Sequence, residues 1–250
     1  MADMEIFRDD ALYAIEGITR AARESLPARD LEDLLHALCG HFRVAGIAAL
    51  LTEADTAEFR RCLAESGRTR LRLLALEPEQ PPERFRCASQ LAAFFDALVA
   101  GVDEVALEIA RKSPSRWAAD DEWEEDFRYA RFLHLFLLAG AKPTPEVETA
   151  LAAFQRADDT GAQFPSTRRT LCEALFARDQ RAFDDVLEAL VQEHGLEVQE
   201  RERSGPLLNP ARHHTEKAVF VEGLALLGYA EACGLTTRRE YPGMPGLVRS

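Results

Sequence analysis

The chain has 250 residues, 47% apolar and 29% charged, with a formal net charge of −13 at pH 7. That length gives one large domain or two small ones with a real hydrophobic core, and the acidic balance argues against general nucleic-acid binding, where attraction to phosphate dominates affinity. Cys39, Cys62, Cys87, Cys172 and Cys233 are widely spaced with no CxxC pair, so a zinc–thiolate site is not expected and the thiols read as reduced and mostly buried in a cytoplasmic protein.

Residues 1–10 (MADMEIFRDD) lack the basic-then-apolar order of a signal peptide, and no apolar run approaches the ~18 residues of a membrane span. Helical periodicity dominates from there. DDALYAIEGITRAARESL (9–26) places apolar residues at every third or fourth position and reads as the first helix. PARDLEDLLHALCGHFRVAGIAALL (27–51) reads as one or two more, with Pro27 suited to a first turn, Gly40 as a break and VAGIAALL as a buried segment. TEADTAEFRRCLAESGRTRLRLLALE (52–77) follows, with Thr52 as its cap and 53–55 in its first turn. PEQPPE (78–83) is the clearest interruption. It separates an N-terminal helical arm, 1–77, from a main helical domain, 78–250, that ends in an extended Pro-containing tail; the two are expected to pack as one compact unit.

SQLAAFFDALVAGVDEVALEIARKSP (89–114) comes next, then DDEWEEDFRYARFLHLF (120–136). GAKPTPE (140–146) ends that helix and leads into another at 146–157. STRRTLCEALFARDQRAFDDVLEALVQEHGLE (166–197) is helical, VQERERSGPLLNPARHH (198–214) reads as a polar linker, and 215–235 as the last strong helix. Only 195–202 has a pattern that fits a short strand, and it fits an exposed helix equally well. Residues 96–110 and 173–187 share a helix end, a short polar turn and a second helix start, the hairpin form of tetratricopeptide repeats. The expected fold is all-α: a multi-helix orthogonal or hairpin bundle that can include tetratricopeptide-like helical pairs.

Six of the seven residues from Asp120 to Asp126 are acidic. On a helix, Trp123, Phe127, Ala130, His134 and Leu137 share one face, widened by Phe132, Leu133 and Phe136, while Glu124 and Arg128 form a favourable i,i+4 pair. Three readings of the charge stay open. It can be the solvated first turn of a core helix, where the unpaired amides favour carboxylates. It can be a docking surface for a Lys/Arg-rich partner. It can be a hard-cation site using Glu122 with Asp126 or Asp121 with Glu125, with His213 and Glu216 as a second candidate cluster. No ExxH, HExxH or DxDxDG pattern supports the last, so no metal and no cofactor is expected. His36, His41 and His134 read as hydrogen-bonded core histidines rather than ligands. Cys39 and His41 point apart on a helix and do not suit a nucleophile pair. Arg168, Arg169, Arg201 and Arg203 read as solvated basic spots. In the tail, Tyr241, Met244 and Leu247 sit among Pro242 and Pro245, a pattern suited to an extended clamp packing back on the domain. No nucleotide-binding, hydrolase or kinase motif is present.

Three pieces together, 120–137, 213–235 and the closing YPGMPGLV, resemble the immunity protein 49 family, all-helical immunity proteins of bacterial polymorphic toxin systems. The resembling positions are Trp123 to Leu133, including Phe127, Tyr129 and Phe132, then Phe220 to Tyr229, including Glu222, and Tyr241 to Pro245. They lie in roughly the second half, and the first 85 residues carry no such motif. The resemblance implies a cytosolic, non-enzymatic protein that binds and neutralises a cognate toxin, in many cases a basic nuclease domain, with no direct contact to nucleic acid or membrane. Asp120, Asp121, Glu122, Trp123, Glu124 and Glu125 are then the toxin-binding candidates, with Trp123 as either a core residue or an anchor in the partner. The rivals are a helical-repeat scaffold or regulatory adaptor and an all-helical metal-dependent enzyme.

Overall fold

A computed structural model describes residues 2–23, 26–76, 85–158 and 165–249. Among them the chain forms α1 (Ala2–Ala21), α2 (Ala28–Glu53), α3 (Thr56–Leu74), α4 (Ala92–Val99), α5 (Asp103–Lys112) and α6 (Glu124–Leu138). Then come α7 (Pro145–Asp158), α8 (Thr167–Ala177), α9 (Gln180–Arg203), α10 (Pro210–Ala218), α11 (Val221–Ala232) and a 3-10 turn at Gly246–Val248. The described residues contain no β-strand, only an isolated bridge between Tyr241 and Met244. The PEQPPE interruption lies outside the described residues.

Consecutive helices pack as pairs: α1 on α2, α2 on α3, α6 on α7, α8 on α9. The shared pattern at 96–110 and 173–187 forms two hairpins, α4–α5 and α8–α9, whose turns use positive φ at Gly101 and Arg178. One hydrophobic cluster runs from Ile47 and Leu50 of α2 through Phe94, Phe132, Phe136 and Phe183 to Met244 and Val248 of the tail. A smaller one under α1 joins Ala11 to Val44, Ala45 and Cys62. None of the five cysteines forms a disulfide.

Several helix boundaries differ from those the sequence suggests. α2 runs unbroken through Gly40, which has open space around it. Gly46 is the glycine that α2 needs, since a Cβ there would lie 2.9 Å from Cys62 Cβ and 3.1 Å from the Phe59 carbonyl. α2 is long and apolar enough to cross a membrane by length and composition, but Val44 to Leu50 are buried against the rest of the protein, as suits a core helix. Asp55, not Thr52, caps α3, accepting from Glu58 N at 2.9 Å, because Thr52 Oγ1 donates back to the Ala48 carbonyl inside α2. The stretch 195–202 is helical, and most of the expected polar linker belongs to α9 or α10.

The expected last helix is split. Val219 and Phe220 are extended between α10 and α11 because the tail holds Phe220: its N–H donates to the Gly243 carbonyl at 2.7 Å and its ring stacks on His194 at 4.1 Å. The tail itself is a clamp. Met244 is fully buried, and Arg60 of α3 donates to the Val248 carbonyl at 3.0 Å. Leu247 departs from the expectation and is exposed, and Pro242 is exposed while Tyr241 and Pro245 are half-buried. Gly223 of α11 has no room for a side chain, with Met244 and the Phe220 ring against it.

Two buried polar groups stand out in this apolar interior. Asp96 of α4 accepts from Arg43 Nε of α2 at 2.8 Å and from Ser66 Oγ of α3 at 2.6 Å. His134 of α6 is buried, and among the described residues neither ring nitrogen is hydrogen-bonded, which corrects the expectation of a satisfied core histidine. Its ring meets Phe94 edge-on at 4.7 Å, so it packs as an apolar ring. Burial, with Arg70 and Arg131 adding to it, pushes its pKa down to about 3.

Breaking a buried pair leaves an uncompensated charge, so Asp96→Ala should lose about 3–5 kcal/mol in urea unfolding, and a loss under 1 kcal/mol would show the pair to be dispensable. His134 stays neutral in the fold but protonates in the unfolded chain below its ordinary value. Its stabilising contribution is therefore complete above pH ~6.5 and declines by about 1.4 kcal/mol per unit as pH falls from there toward its folded pKa. Urea unfolding of the wild type and His134→Leu at pH 7, 5.5 and 4.5 should show the variant losing less. Parallel pH profiles would clear His134 of this role.

Candidate functional site

The acidic stretch is divided by its local structure. α6 begins at Glu124, and Trp123 is its extended N-cap, so the residues before it are loop rather than helix. The helical face expected for Trp123 does not form: its side chain stands out of the surface, 81% exposed. Phe127, Tyr129, Ala130, Phe132, Leu133, His134 and Phe136 are the buried face.

Each carboxylate does something different. Glu122 ties the loop down, accepting from Ala118 N at 3.2 Å and from Ser89 N at 3.0 Å, while its own carbonyl accepts from Trp117 Nε1 at 2.9 Å. Glu124 takes Arg128 at 2.7 Å, the i,i+4 pair its spacing suggested. Asp126 reaches Arg168 of α8 at 3.0 Å. Asp120 and Glu125 are exposed, Asp121 is half-buried, and among the described residues none of the three side chains has a hydrogen-bond or ion-pair partner. Glu122 and Asp126 thus face different neighbours and do not form a cation pair. His213 and Glu216 also diverge, His213 Nε2 lying 3.2 Å from Glu202 and Glu216 facing arginines. Among the described residues no three His, Cys, Asp or Glu side chains are gathered as a metal would need.

Behind this face lies a cleft of about 340 Å³ that the sequence did not disclose. Tyr129, fully buried, donates to Glu222 Oε1 at 2.9 Å, and the second oxygen of Glu222 takes Arg168 at 3.5 Å. Arg168 also stacks on the Tyr129 ring, 5.0 Å from its centroid. Burial and then the Glu222 charge push the Tyr129 hydroxyl well above its ordinary pKa, so it acts as a donor and not as a base. Across the cleft Glu216 of α10 sits among Arg212 at 2.8 Å, Arg201 at 3.3 Å and Arg43 at 4.0 Å. Burial alone would raise its pKa, but Arg212, Arg43 and Arg201 together hold it below the ordinary carboxylate value.

Three of the four arginines expected to be solvated spots are instead structural partners, Arg168 as above, Arg201 on Glu216, and Arg169 on Asp158 at 3.3 Å and Glu173 at 3.0 Å, while Arg203 is exposed as expected. Arg43 and Asp96 were not singled out from sequence, and Glu216 was considered only as a metal-ligand candidate beside His213; only the apolar spacing around Arg43 in α2 marked it as facing inward. Cys39 donates to the Ser66 carbonyl at 3.4 Å and is pushed up to about 12 by burial, which removes it as a nucleophile.

The family model described as immunity protein 49 matches residues 33–246, so the likeness extends well into the first 85 residues, where no motif was evident. Comparison with curated proteins and with solved structures gives no match.

Glu122→Ala should free the Ser89 and Ala118 amides and cost about 1–3 kcal/mol in urea unfolding, with faster proteolysis at 113–123. Trp123→Ala should stay within about 0.5 kcal/mol of the wild type, as expected for a surface position. Equal losses in the two variants would contradict this division of the stretch.

Proposed function

The chain belongs to the immunity protein 49 family, and on that premise we propose that it binds a cognate bacterial toxin domain in the cytosol and neutralises it by occlusion rather than by chemistry. The observation that carries this is Trp123, 81% exposed in a stretch where Asp120, Asp121 and Glu125 have no partner among the described residues. A large indole held out of the surface on a tied-down loop adds nothing to the core. At an interface it is among the side chains that most often dominate binding energy.

The surrounding charge fits a toxin with a Lys/Arg-rich surface, such as a nuclease domain that holds substrate phosphate. Asp120, Asp121, Glu124 and Glu125 would speed encounter by electrostatic steering, and Trp123 would set the lifetime of the complex. Glu122 drops out as a contact, because its carboxylate is occupied by Ser89 and Ala118. Asp126 likewise serves Arg168. Tyr129, Phe132, His134 and Tyr229 are buried and act through the fold.

The test uses the product of the neighbouring toxin gene. Asp120→Lys with Glu125→Lys changes two exposed, unpartnered carboxylates, so melting should hardly move. Its association should slow about tenfold or more at low salt and lose its salt dependence. Trp123→Ala should dissociate at least ~30-fold faster, the scale of a hot-spot truncation. Wild-type binding by the charge-reversed protein would reduce the acidic run to a helix start, and a toxin that neither binds nor is inhibited would remove the immunity reading.

A further inference from the structure

The basic side of the cleft has hydrogen-bonding capacity that the fold does not use. Four guanidinium groups line it, from Arg43, Arg168, Arg201 and Arg212. Carboxylates line it too, from Asp126, Glu197, Glu216 and Glu222, so it carries no simple excess of positive charge; among the described residues Glu197 makes no hydrogen bond, but the oxygens of the other three are mostly occupied. Glu216 accepts from Arg212 and Arg201, Glu222 from Tyr129 and Arg168, and Asp126 Oδ1 from Arg168.

The donors are in a different position. Among the described residues Arg212 uses only Nε of its guanidinium, on Glu216, and its two terminal nitrogens have no acceptor. Arg201 donates through one terminal nitrogen, its other lying 3.9 Å from Glu197, beyond a hydrogen bond. Both side chains are about half exposed, 44% and 51%. Two helix starts open on the same space, α4 at Ala92 and α11 at Val221, and neither has a side-chain cap. Unpartnered first-turn amides and free guanidinium forks both seek acceptors, and the planar fork matches a carboxylate or a phosphate. Glu216 shows that these arginines are already set to hold an oxyanion. A wider hollow of about 760 Å³ shares Arg201, Arg212 and Glu216 with the cleft and gives a way in.

We propose that the cleft between α4, α9, α10 and α11 binds an oxyanion, a carboxylate or phosphate group, bridged by Arg201 and Arg212 beside Glu216. The proposal does not rest on toxin binding. Because the carboxylates balance the guanidinium charge, affinity comes from directed hydrogen bonds and falls in the millimolar range expected of a small anion.

The experiment is thermal unfolding of the whole chain in sodium phosphate and in sodium acetate, each against sodium chloride at the same ionic strength. A saturable rise of about 3–6 °C at ten times the dissociation constant is expected. Saturation by phosphate alone assigns a phosphoryl group, and by acetate alone a carboxylate. Arg201→Gln with Arg212→Gln should abolish the rise. A response no greater than that in chloride, or one retained by the double variant, overturns the site. Should that variant not fold, amide resonance shifts in the wild type decide: perturbations centred on 197–222 support the site, and none there refutes it.

Discussion

The carboxylate of Asp96 is the point on which three helices meet. It lies on α4, which packs against α3, α5 and α11, and it is 1% exposed. Burial raises its pKa, and the Arg43 and Ser66 hydrogen bonds pull it back toward the charged form. A buried carboxylate persists only where its partners are fixed, so the pair sets the register of α2, α3 and α4 together. Arg43 then donates to the Ala92 carbonyl at the start of α4 and reaches toward Glu216 on α10. The wall of the cleft is thus an extension of the same polar contact.

A second connection runs from the acidic face inward. Asp126 holds Arg168, Arg168 holds Glu222, and Glu222 takes the hydroxyl of buried Tyr129. Tyr229 adds a further buried donor, to the Leu133 carbonyl at 2.9 Å, which fixes α11 against α6. The surface that carries Trp123 is therefore mounted on α6 and α8 and on the loop pinned by Glu122. A pre-ordered surface loses little entropy when a partner binds, which is what an inhibitor by occlusion needs.

The tail contributes by covering. Met244 fills the space beside Gly223, and the Gly243 carbonyl takes the Phe220 amide. This contact is why one apolar run becomes two helices, and why the start of α11 opens on the cleft rather than continuing α10.

The all-helical class, the buried aromatic face of α6, the Glu124–Arg128 pair, the hairpins at 96–110 and 173–187 and the clamping tail were all legible in the sequence. Each follows from spacing along the chain, because helical neighbours lie three and four residues apart and a proline-rich end cannot continue a helix. Packing between distant helices exposes Trp123, makes Glu122 a loop tie, leaves His134 without a hydrogen-bond partner among the described residues and breaks a helix at Phe220. It also brings together Arg43 with Asp96 across 53 residues and Tyr129 with Glu222 across 93. Those outcomes depend on which distant group arrives at a side chain, and periodicity carries no record of contacts between helices remote in sequence.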